Sequence, residues 1–348
     1  MNAVAAISQS ALAHNLSVVR IHAPQSKVVG MVKANAYGHH LDLITPLFAA
    51  DILAVSELSE ARRLRSLTQK PILLLPGVFT KKDLQEALLL NCHLTFHDLT
   101  QLEVLMSSKH PFKLWIKVDT GMHRLGISSD SLKSVLDQLK NHKHIQIECI
   151  MSHFSCADEP THPKNTQQLD TFNQLDTQDF YRSMANSASI ISRTKSHFDY
   201  VRPGIMLYGA SPFSKVDKQL MPVMELSAPI LSIKVVKAGE SVGYGATWQA
   251  EKDTRIAIVG IGYGDGYPRH AKNGTPILIN NNLCALAGRV SMDLICVDIK
   301  ETDAQIGDRA ILWGNDQLHV ETVASHSQTI AYELLTGVSN RVTFTQRA

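Results

Sequence analysis

Lys33, in VVGMVKANAYGHH, closes an apolar run. An amine partly desolvated by apolar neighbours has a lowered pKa and can form an imine with a carbonyl. The alternative is a surface lysine ending a strand. Arg124, in WIKVDTGMHRLG, lies in a Gly-flanked loop and offers a planar fork suited to clamping an anion. Lys117, upstream in the same segment, is harder to explain, because a lysine inside a strand is costly unless paired or chemically altered. An ordinary ion-pair network would account for both. His153, in IECIMSHFSCADE, is a candidate functional imidazole or a buried structural one. With Cys149, Cys156 and His162 it could be scanned as a metal constellation, but no paired Cys-x-x-Cys spacing is present and no metal is expected.

Two later segments, MANSAS (184–189) and VRPGIMLYG (201–209), hold the groups of an anion cradle. Ser187 supplies a hydroxyl, Gly204 permits close backbone approach, and Arg202 adds a donor that keeps its proton. SVGYGATW (241–248) sets Tyr244 between two glycines as an accessible phenol. The run GIGYGDG (260–266) has the glycines of a dinucleotide loop, but PRHAKNGTP follows it in place of a helix, so a tight connection between strands is the better reading.

The elements that must position these residues read as eight strand-like runs. They are residues 28–33, 51–56, 71–76, 93–97, 112–118, 145–154, 183–188 and 201–209. Helical periodicity lies between most of them, at 57–68, 81–90, 98–108 and 129–141, with Asp98 and Ser129 placed to cap two helices. An amphipathic stretch, 8–23, precedes the first strand. Alternating α and β with apolar strands means a parallel sheet covered by helices, and eight repeats favour a closed (β/α)₈ TIM-like barrel. Active sites of such barrels sit at the C-terminal ends of the strands, and the last two loops frequently bind phosphate. A lysine, a phosphate cradle and an arginine at that one mouth point to pyridoxal phosphate.

A barrel of roughly 250 residues does not use the whole chain of 348 residues. Beyond about residue 218 the runs are strand-like without helices between them, punctuated by turn signals such as Asn273-Gly274, and only ETVASHSQTIAYELLTG reads as a helix. The expected division is a barrel over 1–218 and a mostly β domain over 219–348. The composition is ordinary for a globular chain, 44% hydrophobic and 19% charged. With 34 Lys+Arg against 32 Asp+Glu, no basic excess points to nucleic acid. No apolar run reaches the ~18 residues of a membrane helix. The opening MNAVAAISQSALAHN lacks the basic start and continuous apolar core of a signal peptide, and five scattered cysteines form no disulfide framework, so a cytoplasmic location is expected.

Together these segments resemble the alanine racemase family, whose fold is a pyridoxal-phosphate-binding barrel plus a β domain. VKANAYGHH (32–40), KVDTGMHRLG (117–126), MSHFSCAD (151–158), MANSAS, VRPGIMLYG, VGYGATW, GIGYGDGYPR (260–269), GRVSMD (288–293) and AYELL (331–335) run in family order over essentially the whole chain. The resemblance implies that Lys33 carries the cofactor and that Tyr37, Ser187, the Gly204 and Ile205 backbone, and Tyr332 hold its phosphate. It implies Arg202 at the pyridine nitrogen supported by His153, and Arg124 beside the phenolic oxygen and the substrate carboxylate. Tyr244 and Met292 would reach in from the second subunit of a homodimer, with Tyr263 lining the entrance. Lys33 and Tyr244 would then serve opposite faces of the alanine Cα, interconverting L- and D-alanine for peptidoglycan supply or for D-alanine breakdown.

Lys117 aligns with a position often carbamylated in the family. Three departures are visible: His39-His40 where His-Gly is commoner, His123 where glycine is frequent, and Ser291 where one branch has cysteine. Substrate range is where these departures bear. A broad-specificity amino-acid racemase of the same fold is the nearest rival. A non-catalytic pyridoxal-phosphate-binding protein would lack the β domain, and a related decarboxylase would carry an acid in place of Arg202.

Overall fold

The structure is a computed structural model describing residues 2–177, 179–300 and 302–347. The chain forms two compact units. One comprises Asn15–Ala36 and Ile44–Leu207; the other comprises the stretch up to His14, Tyr37–Leu43 and the chain from Tyr208 onward.

The first unit is the expected barrel. Its strands are Lys27–Met31, Ile52–Val55, Ile72–Leu74, Cys92–Phe96, Phe112–Asp119, Ile145–Met151, Tyr181–Ser183 and Tyr200–Val201. Every neighbouring pair is parallel, and Tyr200↔Lys27 and Val201↔Val28 join the last strand to the first. The ring is closed, with no free edge among these strands. The seventh and eighth strands are much shorter than the sequence runs at 183–188 and 201–209. Pro203 brings no N–H to the ladder, and Asn186 starts a helix, Ser187–Ser192, by accepting from Ser189 N at 3.1 Å.

Helices Leu58–Leu67, Lys81–Leu89, Leu102–Met106 and Leu132–Leu139 fill the periodic stretches. Asp98 caps as expected, accepting from Thr100 N at 2.9 Å. At the other site the cap is Ser128, which accepts from Ser131 N at 3.3 Å, because a 3-10 turn over Ser129–Ser131 precedes the helix. Side chains alternate along the fifth strand. Lys113 and Trp115 belong to one polar cluster: Lys113 pairs with Glu148 at 2.9 Å, Tyr200 donates to Glu148 at 2.9 Å, and Trp115 donates to His93 at 3.3 Å. Lys117 continues that face toward the C-terminal end of the strand.

The second unit is built on an eight-stranded sheet. Six of its strands fall in the expected runs: Met224–Val236, Thr254–Val259, Pro276–Ile279, Asn282–Leu286, Ile295–Asp298 and Arg309–Trp313. Two come from segments the sequence does not mark. Val4–Ser8 pairs antiparallel with Met224–Val236 and parallel with Thr343–Arg347. The Asn280-Asn281 turn has φ of 46° and 62°, the sign that a type I′ two-residue hairpin requires at both central positions. The single helix expected near the end is two, Val320–His326 and Ala331–Gly337, divided where Gln328 turns to φ 54°. Among the described residues no helix is long and apolar enough to cross a membrane.

Candidate active site

Parallel strands bring their C-terminal ends to one rim of the barrel, and the candidate residues follow those ends. Lys33 lies two positions past Met31, where the sequence run placed it inside the strand. The backbone then makes a left-handed turn: Ala34, Asn35, Ala36 and Tyr37 have φ of 53°, 50°, 58° and 52°, and Gly38 follows at 79°. A non-glycine residue there costs roughly 1–2 kcal/mol, so four in succession are a store of strain beside the lysine. Glycine is required at 38, because a Cβ would strike the Leu335 carbonyl. Burial lowers the Lys33 pKa, Arg124 adds to the fall, and Glu60 opposes it.

His153 and Arg202 form the buried centre of the rim. Arg202 donates to Ser183 Oγ at 2.6 Å, to the Ser152 carbonyl at 2.5 Å, to the Met184 carbonyl at 3.4 Å and to His153 Nδ1 at 3.2 Å. Burial pulls the guanidinium down to about 10, which leaves it protonated at neutral pH. Burial also holds His153 well below the usual histidine range, reinforced by Arg202, Lys117, Arg124 and Lys33. Lys117 is pushed down to about 8 by burial, then by Arg202, Arg124 and Lys33 against Asp119.

Four cations therefore gather around one neutral imidazole, and the carboxylates that act on the two lysines are Glu60 and Asp119. The surplus calls for an anionic ligand, and a molecule bearing a phosphate, together with a substrate bearing a carboxylate, satisfies it.

Arg124 is exposed on a loop organised by Asp119, whose Oδ1 accepts from Gly121, Met122 and His123 at 2.8, 2.9 and 3.1 Å. Burial works to raise the Asp119 pKa, but these bonds and the His123 charge hold it below the ordinary value. His123 occupies a left-handed position, φ 56°. His40, a second of the three departures, has φ 72°. Both histidines stand where the family pattern favours glycine, and the backbone explains that preference.

Ser187 Oγ accepts from Gly204 N at 2.8 Å and Met206 N at 3.4 Å, so the expected cradle groups are adjacent. Ile205 begins a buried 3-10 turn, Ile205–Tyr208. The metal-like grouping dissolves into separate tasks. Cys149 is buried in a strand, and His162 Nδ1 accepts from Lys164 N at 3.2 Å to cap the helix Pro163–Asn173.

In the second unit, Tyr37 stacks on Tyr208 at 4.8 Å and lies 6.1 Å from Tyr332. Burial raises Tyr37 to about 12, keeping it a phenol that can donate. A second group joins three motifs. Tyr263 N donates to the Ser291 carbonyl at 3.0 Å and Gly264 N to the Met292 carbonyl at 2.8 Å, while Gly243 and Gly245 lie against Arg289. A Cβ at Gly262 would collide with the Ser291 and Met292 carbonyls. This group presents Tyr244, Met292 and Tyr263 to solvent, at 71%, 53% and 40% exposure. GIGYGDG is thus a tight connection, as expected. Nothing in the sequence marks Glu60, Asp119 or Tyr208: each belongs to a recognisable segment but has no distinctive spacing of its own.

The comparisons with known proteins agree with this architecture. Family models described as alanine racemase N-terminal and C-terminal domains match residues 7–212 and 223–346. The chain belongs to the alanine racemase family. It is 59% identical over 345 residues to an alanine racemase of Vesicomyosocius okutanii, covering 99% of this chain and 98% of that one. It is 44% identical to the biosynthetic alanine racemase of Escherichia coli, covering 97% and 96%. Among solved structures, the biosynthetic alanine racemase of Pseudomonas aeruginosa matches with TM-score 0.95 and 41% identity over 100% of this chain and 99% of that one. The alanine racemase of Bartonella henselae, solved with covalently bound pyridoxal phosphate, matches with TM-score 0.92 and 29% identity over the full length of both. As a member of that family the chain is an isomerase.

Proposed function

We propose that this protein interconverts L- and D-alanine with pyridoxal phosphate held on Lys33, in a homodimer whose subunits share their sites. The observation that carries the reading is the convergence of Lys33, Lys117, Arg124 and Arg202 around a neutral His153 at the rim of a barrel of this family. In the division proposed here, residues 1–218 form the cofactor-binding barrel, to which Tyr332 adds a phosphate contact, and 219–348 contribute to the neighbouring subunit's site.

The bound cofactor would supply the electron sink that makes the substrate Cα–H acidic. The chain's own residues do the rest. Ser187, the Gly204 and Ile205 backbone, Tyr37 and Tyr332 would bind the phosphate. Arg202, charged and held by four acceptors, would face the pyridine nitrogen without giving up its proton, which restrains delocalisation and side reactions such as transamination. Arg124 would orient the substrate carboxylate. Lys33, its basicity lowered toward the working pH, would move the Cα proton on one face. Tyr244 of a second copy would move it on the other.

The exposed Tyr244, Met292 and Tyr263 support the shared site, since three adjoining motifs present these side chains outward. Lys117, with its lowered pKa and no carboxylate paired to it among the described residues, is a candidate for carbamylation, which would give Arg124 an anionic partner. Five free thiols support a reducing cytoplasm.

The test is to trap the cofactor with borohydride, locate it by peptide mapping, and assay both alanine enantiomers against a panel of amino acids. Label on Lys33 with alanine strongly preferred is the expected result. Comparable turnover of larger amino acids would favour the broad-specificity reading, and label elsewhere would overturn the assignment.

A further inference from the structure

One carboxylate is built against the left-handed turn behind Lys33. Glu60 lies in the first turn of helix Leu58–Leu67 and divides its two oxygens. Oε1 accepts from Asn35 N at 3.0 Å, inside the left-handed run, and Oε2 accepts from Ser56 N at 3.0 Å, directly after the second barrel strand. Before the lysine, Val32 N is bound to the Ala54 carbonyl at 2.9 Å; across it, Ala36 N is bound to the Val32 carbonyl at 2.9 Å. The backbone is therefore anchored on both sides of Lys33, to the second strand on one side and through Glu60 to the start of the following helix on the other. Non-glycine residues hold positive φ only where surrounding contacts over-determine them, and a charged acceptor is the strongest kind of contact available to a backbone N–H.

We propose that Glu60 is a positioning residue for Lys33: its carboxylate clamps the left-handed turn that aims the lysine, and its charge is the counterweight to Arg124. The inference rests on the role given to Lys33 above. The ordinary reading of Glu60 is a helix-start acid reaching back to Ser56, as such acids commonly do. That reading accounts for Oε2 and leaves the bond to Asn35 without a purpose. The charge has a direction as well: among the influences on Lys33, burial and Arg124 lower its pKa and Glu60 raises it.

The variants are Glu60→Gln, which keeps size but loses charge and one acceptor, Glu60→Asp, which keeps charge but loses reach, and Glu60→Gln with Ala34→Gly. Ala34 is exposed, so glycine there removes backbone strain without emptying a packed site. Two readouts use the cofactor-free full chain: hydrogen exchange over residues 33–38 and the pH midpoint for acylation of the Lys33 amine. Racemase kcat and KM are measured on the loaded enzyme.

Glu60→Gln is expected to speed local exchange about tenfold or more, to move the acylation midpoint down, and to lower kcat about tenfold with little change in KM. Glu60→Asp should loosen the turn while keeping the midpoint. Ala34→Gly should restore slow exchange in the Gln background and leave the midpoint low, because it relieves strain without restoring charge. Unchanged local exchange and midpoint in a folded Glu60→Gln protein would overturn the proposal. So would faster exchange spread over the whole barrel, which marks a helix-start role alone. If the parent protein neither racemises alanine nor takes cofactor on Lys33 while the two cofactor-free readouts still respond as expected, the reading of Lys33 has failed and the clamp stands.

Discussion

Arg202 and His153 are joined by a hydrogen bond of 3.2 Å from guanidinium to Nδ1, and this bond decides the imidazole's tautomer. A guanidinium has no acceptor, so Nδ1 must accept and the ring proton sits on Nε2. Burial and the surrounding cations keep the ring from gaining a second proton. The expected outcome is a His153 that stays neutral, with its proton on Nε2, from about pH 5.5 to 8 by ¹⁵N NMR of labelled imidazoles. A proton found on Nδ1 would contradict the geometry. Arg202→Lys keeps the charge but cannot serve the same four acceptors; a stability loss of about 2 kcal/mol in denaturant titration is expected.

Ser187→Ala removes the acceptor shared by Gly204 N and Met206 N. Unsatisfied buried N–H groups cost about 1–3 kcal/mol, so the turn that follows Arg202 should lose definition. Cofactor affinity is expected to weaken about tenfold or more, read from absorbance on titrating cofactor-free protein with pyridoxal phosphate. Retention of full affinity would remove Ser187 from the cradle.

Much of this arrangement was legible in sequence, for reasons that differ by element. The first six barrel strands are apolar β-rich runs that must be buried on both faces, and their pattern survives in the chain. The last two are short, and the apolar residues beyond them fold into Ser187–Ser192 and Ile205–Tyr208, so hydrophobicity alone overextended them. Val4–Ser8 and Thr343–Arg347 carry no strand signal in the sequence, because VAAIS has little β signature and TFTQR is largely solvent-facing; only long-range pairing defines them. The left-handed turn is invisible in the same way: Ala34 and Ala36 favour right-handed helix, and only Asn35 and Gly38 hint otherwise. Glu60 looks like any acid at a helix start until its partner Asn35 is seen.

His123 gives a stability test of the same backbone logic. Its φ of 56° is unfavourable for a residue with a Cβ, and its side chain is exposed. His123→Gly removes about 1–2 kcal/mol of strain but adds unfolded-state entropy and loses the 3.4 Å approach to Asp119. A net gain of about 0.5 kcal/mol is expected in denaturant midpoint, provided the three N–H bonds to Asp119 persist. A clear loss would mean the histidine ring contributes more than its backbone costs.

Lys117 supplies a pH dependence whose sign can be worked out. With its pKa pushed down to about 8, roughly a tenth of the amine is neutral at pH 7 and about half at pH 8. The neutral amine attacks CO₂, forming an N–C bond and releasing a proton to give a carbamate. Carbamate, read by ¹³C NMR under ¹³CO₂ at constant dissolved CO₂, should therefore increase from pH 7 to 8.5 and vanish in Lys117→Ala. Short carboxylates should restore part of the activity lost in that variant. An amine that remains unmodified across this range would sink the assignment.

Tyr244→Phe tests the two-base arrangement, and the choice of measurement matters. L- and D-alanine are equal in free energy, so kcat/KM must fall by the same factor in both directions whatever group is removed. Net racemisation therefore cannot tell which face was affected. Proton exchange can. If Tyr244 of the second copy serves one face, its loss should slow racemisation by about 10²–10⁴-fold in both directions. In D₂O, however, one enantiomer should still wash deuterium into Cα with retention, because Lys33 removes and returns protons on its own face. The other enantiomer should exchange far more slowly. Equal, mild exchange losses for both enantiomers would refute the assignment, and the same experiment on Lys33→Ala, with pyridoxal phosphate supplied and no amine added, should reverse which enantiomer exchanges.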